Sequence, residues 1–214
     1  MARRNFQDGI KKFEIVIDKY PKYNEAYFWL ASIYRNANLF DEAISVLDKG
    51  ISIVDNKISL IKDKATFLKG KGRLEESINI LKNILQESNN DIGTHLILAD
   101  IYFKKGDKEL VISSYKQALR IDPNNEGALS GYASFLNDAE KKEDALVVYK
   151  KLITLFPHNS TYWTLLGNIY LDLELNSNSL ECYEKANEVA KEKEGWILAN
   201  IGNLYKNRGF YGKG

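Results

Sequence analysis

The side chains in this chain that could take part in chemistry are few and lie far apart. Its two histidines, His95 and His158, and its one cysteine, Cys182, are the residue types that most often serve as bases, nucleophiles or metal ligands. The histidines fall in different parts of the chain, and no histidine lies near Cys182 in sequence. We therefore predict a packed, structural His95 and a buried or half-buried thiol at Cys182. These residues predict no catalytic site, no metal site and no cofactor.

Glycines at the C-terminal end give a weaker sign of chemistry. Gly209, Gly212, Lys213 and Gly214 supply residue types found in phosphate-binding loops. The glycine spacing, the hydroxyl residue and the following helix that such a loop needs are all lacking. We therefore predict no nucleotide site and interpret the chain as a non-enzyme.

Composition narrows the classes of partner. The 214 residues carry 30 basic and 29 acidic side chains, a net charge of +1, which argues against a nucleic acid or an anionic membrane as the partner. No apolar run approaches the roughly 18 residues of a membrane span, and no signal peptide is recognisable at the N-terminus. A single cysteine is typical of a reducing compartment. We expect a cytoplasmic protein that contacts neither nucleic acid nor membrane.

The elements that must position any site repeat along the chain. Small residues return every 34 positions, at Ala31, Ala65, Ala99, Ala133 and Gly167. Each period contains two helical faces, with turn residues between them. The clearest faces are Trp163, Leu166, Gly167 and Tyr170, followed by Ser179, Tyr183 and Ala186. Pro123 and Pro157 lie 34 residues apart, where each would end a second helix. We predict helix pairs that cross closely at the small residues, Ala31 against Ala43 in the first full unit, and no strands.

This pattern resembles the tetratricopeptide repeat family over nearly the whole chain. A second unit carries the same pattern at Ala99, Tyr102, Gly106, Tyr115, Ala118 and Pro123. The resemblance implies an all-α fold, a right-handed α-solenoid of stacked antiparallel helix hairpins. It also implies a scaffold that binds other proteins.

The 34-residue period divides the chain into repeats that form a single array. Full repeats are predicted over residues 24–57, 58–91, 92–125, 126–159 and 160–194, after a lone second helix in 1–22 and before a lone first helix in 195–214. In the second repeat, Lys64 stands where a leucine is usual in the family. Trp196, Ile197, Phe210 and Tyr211 do not form the polar cap with which such arrays normally end. We interpret the chain as a fragment of a longer array or as one with an end face that meets another chain.

In the family the first helix of each pair lines the concave side, which implies a peptide-binding groove. The predicted groove residues occupy the stripe opposite the packed face of each first helix, with Asn200 added because some family members use an asparagine there to bind a C-terminal carboxylate. They are Phe28, Ser32, Arg35, Lys62, Thr66, Lys69, Leu96, Asp100, Phe103, Ser134, Asn137, Thr164, Asn168, Leu171, Asn200 and Asn203. Such a mixed surface suits an extended or helical peptide.

Two special groove types of the family fit this sequence poorly. Asn168 and Asn200 match two asparagines of a clamp for a C-terminal carboxylate, but Thr164 replaces the lysine that would supply charge-assisted bonds. The column that forms an asparagine ladder in other members reads Trp29, Asp63, Ile97, Gly131 and Leu165 before Asn200.

Three functions remain open from the sequence. The first is a scaffold that binds a peptide or protein segment in the groove. The second is a substrate-recruiting arm of a larger enzyme, for example a glycosyltransferase, with its catalytic domain outside this chain. The third is self-association through the terminal helices.

Overall fold

A computed structural model describes residues 2–190 and 195–207, and in these residues it contains twelve α-helices and no strand. The predicted all-α fold is confirmed. Among the described helices, none has the length and the hydropathy of a membrane span. The C-terminal glycine segment and the aromatic residues Phe210 and Tyr211 lie outside the described residues.

The helices group into two compact units, Met1–Ile121 and Asp122–Gly214. The first unit contains one helix and three hairpins: α1 (Ala2–Lys19), α2 (Asn24–Asn36) with α3 (Phe40–Ile53), α4 (Ile58–Lys71) with α5 (Leu74–Glu87), and α6 (Ile92–Lys105) with α7 (Lys108–Ile121). The second contains two hairpins and one helix: α8 (Glu126–Asp138) with α9 (Lys142–Leu155), α10 (Ser160–Asp172) with α11 (Asn176–Val189), and α12 (Gly195–Asn207). Within each unit every helix packs on the next one along the chain. The division into repeats itself stays a prediction.

The ends of the helices follow from local sequence. Pro21, Pro123 and Pro157 each lie two residues beyond the last residue of a helix, where a missing N–H and a fixed φ prevent its continuation. The turn inside each hairpin contains one residue in the left-handed region, with φ between 59° and 86°. These residues are again 34 apart: Asn38, Gly72, Gly106, Glu140 and Glu174.

The small residues lie where the sequence predicted them, at the helix crossings. In the first helices Ala31, Ala65, Ala99, Ala133 and Gly167 are all buried. So are the residues twelve positions later in the second helices, Ala43, Ser77, Val111, Ala145 and Ser179. The predicted close pairing of helices is therefore confirmed in all five hairpins.

His95 has a structural role that two other residues share. Near the start of their helices, the Tyr27 hydroxyl and the Trp163 indole N–H each donate a 2.8 Å hydrogen bond to the carbonyl six residues earlier. His95 occupies the same place in the period, and its Nε2 lies 3.4 Å from the carbonyl oxygen of Asn89. His95 is only 5% exposed, so the predicted core histidine is confirmed.

Candidate peptide-binding surface

The predicted groove residues of the first unit lie on three adjacent helices. Helix α4 lies between α2 and α6 and packs against both. We call the side formed by the groove positions of these helices the first-helix surface. Asp100 and Phe103 on α6 are exposed, and the Phe103 side chain is 54% exposed. The half-buried members are Phe28, Arg35, Lys62, Thr66, Lys69 and Leu96.

The lysines of this surface are paired within the unit. Lys62 Nζ lies 3.1 Å from Asp91 Oδ2, and both side chains are about one quarter exposed. Lys69 forms an ion pair with Asp100, and its carbonyl oxygen accepts a 2.8 Å hydrogen bond from Lys104 Nζ. These contacts join α4 to α6 and to the residue that precedes it. The two aspartates also compensate the positive charges of Lys62 and Lys69 in the early part of the predicted groove.

Asp91 connects one of these ion pairs to the start of α6. Its Oδ1 accepts a 2.6 Å hydrogen bond from the Thr94 amide, which caps the helix. Burial opposes ionisation of Asp91, but the hydrogen bonds from Thr94 and Lys62 outweigh it and lower its pKa. Lys62 is thus held by a carboxylate that stays charged, and we expect it to contribute to the α4–α6 contact more than to a ligand.

A half-buried carboxylate, Asp63, lies between α2 and α4. Burial raises its pKa to about 6, against the opposing influence of Lys62 and Arg35. The Arg35 guanidinium carbon lies 4.9 Å from the centre of the Phe67 ring, so this cation rests on an aromatic face. Asp63 accepts no hydrogen bond from the described residues. The sequence analysis noted Asp63 only as a break in the asparagine column. As the one acid in a column that otherwise holds apolar residues and a glycine before Asn200, it could have been recognised as a candidate.

Asp63 is one of the residues that line a cleft of about 250 Å³. Its walls come from the beginnings of two helices: Asn24, Glu25 and Phe28 on α2, and Ser59, Leu60 and Asp63 on α4. The Phe28 ring packs edge-on against Trp29, with 5.1 Å between ring centres, and Trp29 is 53% exposed. The cleft therefore combines apolar walls with two carboxyl groups.

The groove positions of the second unit are mostly polar and small. Ser134, Asn168, Leu171 and Asn203 are exposed, whereas Asn137 and Asn200 are half-buried. The Tyr183 hydroxyl donates a 2.5 Å hydrogen bond to Asn168 Oδ1. Tyr183 is fully buried, so Asn168 partly serves the packing of α10 on α11. A carboxylate clamp that used Asn168 would therefore have to leave this structural hydrogen bond intact.

Two of the predicted groove residues are not available to a ligand. Ser32 is 6% exposed and Thr164 is 4% exposed, which corrects their assignment to an open stripe. Their hydroxyl oxygens have no hydrogen-bond partner among the described residues. Lys62 and Leu96 occupy the same column as Thr164, and their longer side chains extend further from the helix axis, which agrees with their greater exposure.

The thiol of Cys182 is also inaccessible. Cys182 is 4% exposed, which confirms the expected buried cysteine. Burial, with a smaller contribution from Glu181, raises the pKa of Cys182 to about 12, although Lys150 opposes the shift. Among residues 2–190 and 195–207, no group of three or more His, Cys, Asp or Glu side chains is arranged to hold a metal ion.

Known proteins with similar sequences are long and functionally varied. The tetratricopeptide repeat protein 21 homolog of Caenorhabditis elegans is 27% identical over 146 residues, which are 65% of this chain and 10% of that protein. The general transcriptional corepressor trfA of Dictyostelium discoideum is 27% identical over 107 residues, 50% of this chain and 8% of that protein. The peroxisomal targeting signal receptor of Saccharomyces cerevisiae is 26% identical over 134 residues, 61% of this chain and 20% of the receptor. The chain thus spans a fifth or less of these curated relatives.

Solved structures and family models agree on the fold. The crystal structure of MamA superposes with a TM-score of 0.61 at 18% identity, covering 78% of this chain and 91% of that chain. YrrB, described as a TPR protein with an unusual peptide-binding site, gives 0.58 at 16% identity, with 87% and 96% covered. At these identities the likeness shows the fold alone. Tetratricopeptide repeat models match residues 1–56 and 63–200. The chain belongs to the tetratricopeptide repeat family.

Proposed function

We propose that this chain is a protein-interaction scaffold that binds a peptide or protein segment on the first-helix surface of its first unit. The observation that carries the proposal is the combination, on α2, α4 and α6, of an exposed Phe103, a half-buried Leu96 and the cleft beside Asp63. Apolar side chains among polar groups provide the area and the hydrogen bonds that a segment needs. Proteins of this family are generally interaction scaffolds.

Two similar proteins support the proposal by what their names describe. One is a receptor for a peroxisomal targeting signal, and the other is described as having a peptide-binding site. A stiff array of helices presents such a surface with little loss of conformational entropy on binding. We expect affinities near the micromolar range, about −8 kcal/mol, which are ordinary for a short segment.

A peptide-display selection against the immobilised chain tests the proposal. Peptides that bind the first-helix surface should lose about tenfold or more in affinity for Phe103→Ala, because the exposed ring would be a main apolar contact. The matched control is Leu110→Ala on α7, which is 40% exposed on a second helix of the same unit. Circular dichroism should show unchanged helix content for both variants.

The opposite results would reject the proposal. Selected peptides that bind Phe103→Ala as well as the unchanged protein, or that are lost with Leu110→Ala, would place binding elsewhere. Failure to enrich any peptide or to capture any protein in a pull-down read by mass spectrometry would count against a scaffold role.

Self-association through α12 is a second candidate. Helix α12 buries Ile197 and Leu204 against α11 but leaves Trp196 47% exposed and Leu198 44% exposed. Two large exposed apolar side chains on one helix favour contact with another apolar face. Light scattering should then give a mass that rises with concentration and a smaller rise for Trp196→Lys. A constant monomer mass would exclude this candidate.

A further inference from the structure

We propose that the cleft between α2 and α4 binds an arginine side chain of the partner segment. The inference rests on the proposed function, because it specifies the chemistry of a segment bound there. The cleft has two carboxyl groups, Glu25 and Asp63, and an apolar wall formed by Phe28 and Leu60. An arginine offers the complement: an aliphatic stem, and a planar cation that pairs with a carboxylate through two parallel hydrogen bonds.

Asp63 makes no direct ion pair with the described residues, although the charges of Lys62 and Arg35 act on it from a distance. The two cations near it are both held elsewhere: Lys62 is 3.1 Å from Asp91, and Arg35 lies over the Phe67 ring. Glu25 makes no ion pair among the described residues. An incoming cation would therefore give Asp63 its first direct ionic partner, in a half-buried place where a charge pair is screened less than at the open surface.

The walls favour an organic cation over a metal ion or an anion. Two carboxylates repel a phosphate or a C-terminal carboxylate. A hydrated metal ion would gain nothing from Phe28 and Leu60, whereas the stem of an arginine packs on such surfaces and its guanidinium can lie against an aromatic ring. The neighbouring Trp29, which is 53% exposed and packs edge-on against Phe28, extends the aromatic surface beside the cleft.

Titration of Asp63 makes the binding dependent on pH. Its pKa of about 6 means that it is charged at pH 7 and mostly protonated at pH 5. The charges that act on it are Lys62 and Arg35, which favour its ionised form, and Glu25 shares its cleft. A cation that pairs with ionised Asp63 should bind several-fold more weakly at pH 5 than at pH 7, and should lower the pKa of this carboxyl group when bound.

The experiment uses the full chain with two neutral-capped amino acids as probes. N-acetyl-arginine amide carries the cation, and N-acetyl-citrulline amide has nearly the same shape without the charge. In nuclear magnetic resonance spectra at pH 7, the arginine probe should shift the amide signals of Glu25, Phe28, Ser59 and Asp63 with millimolar affinity. Citrulline should bind at least about fivefold more weakly, because the charge-assisted bonds are lost.

Variants separate Asp63 from other acids. Asp63→Asn should reduce arginine binding about tenfold, whereas Asp41→Asn, at an exposed acid of α3 that pairs with Lys71 and lies outside the groove positions, should leave it unchanged. Asp63→Asn should also raise the thermal midpoint of the free chain at pH 7 but not at pH 4. The sign follows because a raised folded pKa supplies stability below the ordinary value of 3.8 that is lost as pH rises through about 6.

Equal responses to arginine and citrulline, or an undiminished arginine response in Asp63→Asn, would overturn the inference. The proposed function fails by a different result. If peptides bind the first-helix surface without an arginine in the cleft, the scaffold function stands and this inference falls. If the arginine probe binds as expected but no polypeptide does, the cleft stands and the proposed function falls.

Discussion

The hydroxyl of Ser179 donates a 2.8 Å hydrogen bond to the carbonyl oxygen of Gly167 on the facing helix. The same bond joins Ser77 to Ala65 at 2.7 Å in the α4–α5 hairpin. A hydroxyl can reach a carbonyl on the neighbouring helix only where small residues allow close approach of the two backbones. In the remaining hairpins alanine or valine stands in place of the serine, so close approach is the shared feature and the hydrogen bond is additional.

Gly50 should resist replacement even by alanine. A methyl group added to Gly50 would lie 2.7 Å from Tyr27 Cγ and 2.8 Å from Leu60 Cδ1, and both neighbours are buried. Alanine is the better helix former by about 1 kcal/mol, but overpacking a core typically costs about 1–3 kcal/mol. Because both contacts are shorter than 3.0 Å, we expect the upper part of that cost, so that Gly50→Ala lowers the free energy of unfolding by about 1–2 kcal/mol in urea titrations.

Gly202→Ala is the matched control for Gly50→Ala. Gly202 lies inside α12, and an added methyl group would meet no described atom within 4 Å. Here the helix preference acts alone, so we expect a gain of up to about 1 kcal/mol. Two gains of the same size would mean that Gly50 is not a close contact.

The left-handed turn residues offer a route to stabilisation. Glu174 has φ of 59°, a conformation that costs a non-glycine residue roughly 1 kcal/mol. Glu174→Gly should therefore raise the free energy of unfolding by about 1 kcal/mol, as measured by urea titration.

The control for this turn is Glu181→Gly on an exposed position of α11. Glycine inside a helix costs about 1 kcal/mol relative to alanine, so this variant should be less stable than the unchanged chain. If both glycine variants lose stability, the strain assigned to Glu174 is wrong.

His95 should make the fold less stable in mild acid. Burial lowers the pKa of His95 below its ordinary value of 6.5; the carbonyl of Asn89 and the carboxylate of Asp91 oppose this shift, and Arg120 adds to it. Below pH 6.5 the unfolded chain therefore binds a proton that the folded chain resists, and stability falls until the folded pKa is passed.

The test for His95 compares it with leucine, because Leu129 fills the matching place in α8. The difference in unfolding free energy between the unchanged chain and His95→Leu should shift in favour of the leucine variant as pH drops from 7.5 toward 5. Other titrating groups such as Asp63 contribute equally to both proteins, so their effect on the pH dependence cancels in this difference of unfolding free energies. A difference that stays constant over this range would show that His95 titrates normally.

Cys182 should report on unfolding of the second unit. With its pKa raised to about 12 and its side chain 4% exposed, almost no thiolate is available at pH 8. We expect alkylation by iodoacetamide to be about a hundredfold or more slower in the folded chain than in urea. Cys182→Ala should take up no reagent, and equal rates with and without urea would contradict the buried thiol.

The sequence alone determined the hairpin architecture of this protein. Small residues such as Ala31 recur every 34 positions, and prolines end several of the helices. Both signals depend on local properties: side-chain volume, helical periodicity and the missing N–H of proline. The buried roles of His95 and Cys182 followed from the same reasoning. These features need no knowledge of which distant side chains meet.

The tertiary structure alone decided the character of the proposed binding surface. Lys62 and Lys69 look like free cations in the sequence, but their ammonium groups pair with Asp91 and Asp100, about 30 residues away along the chain. Ser32 and Thr164 fall in the predicted stripe yet are buried. The neighbouring helix decides which partner a long, flexible side chain finds and whether a short side chain is buried. A helical period in the sequence cannot specify this. For the same reason the cleft at Asp63 appears only once α2 and α4 are packed together.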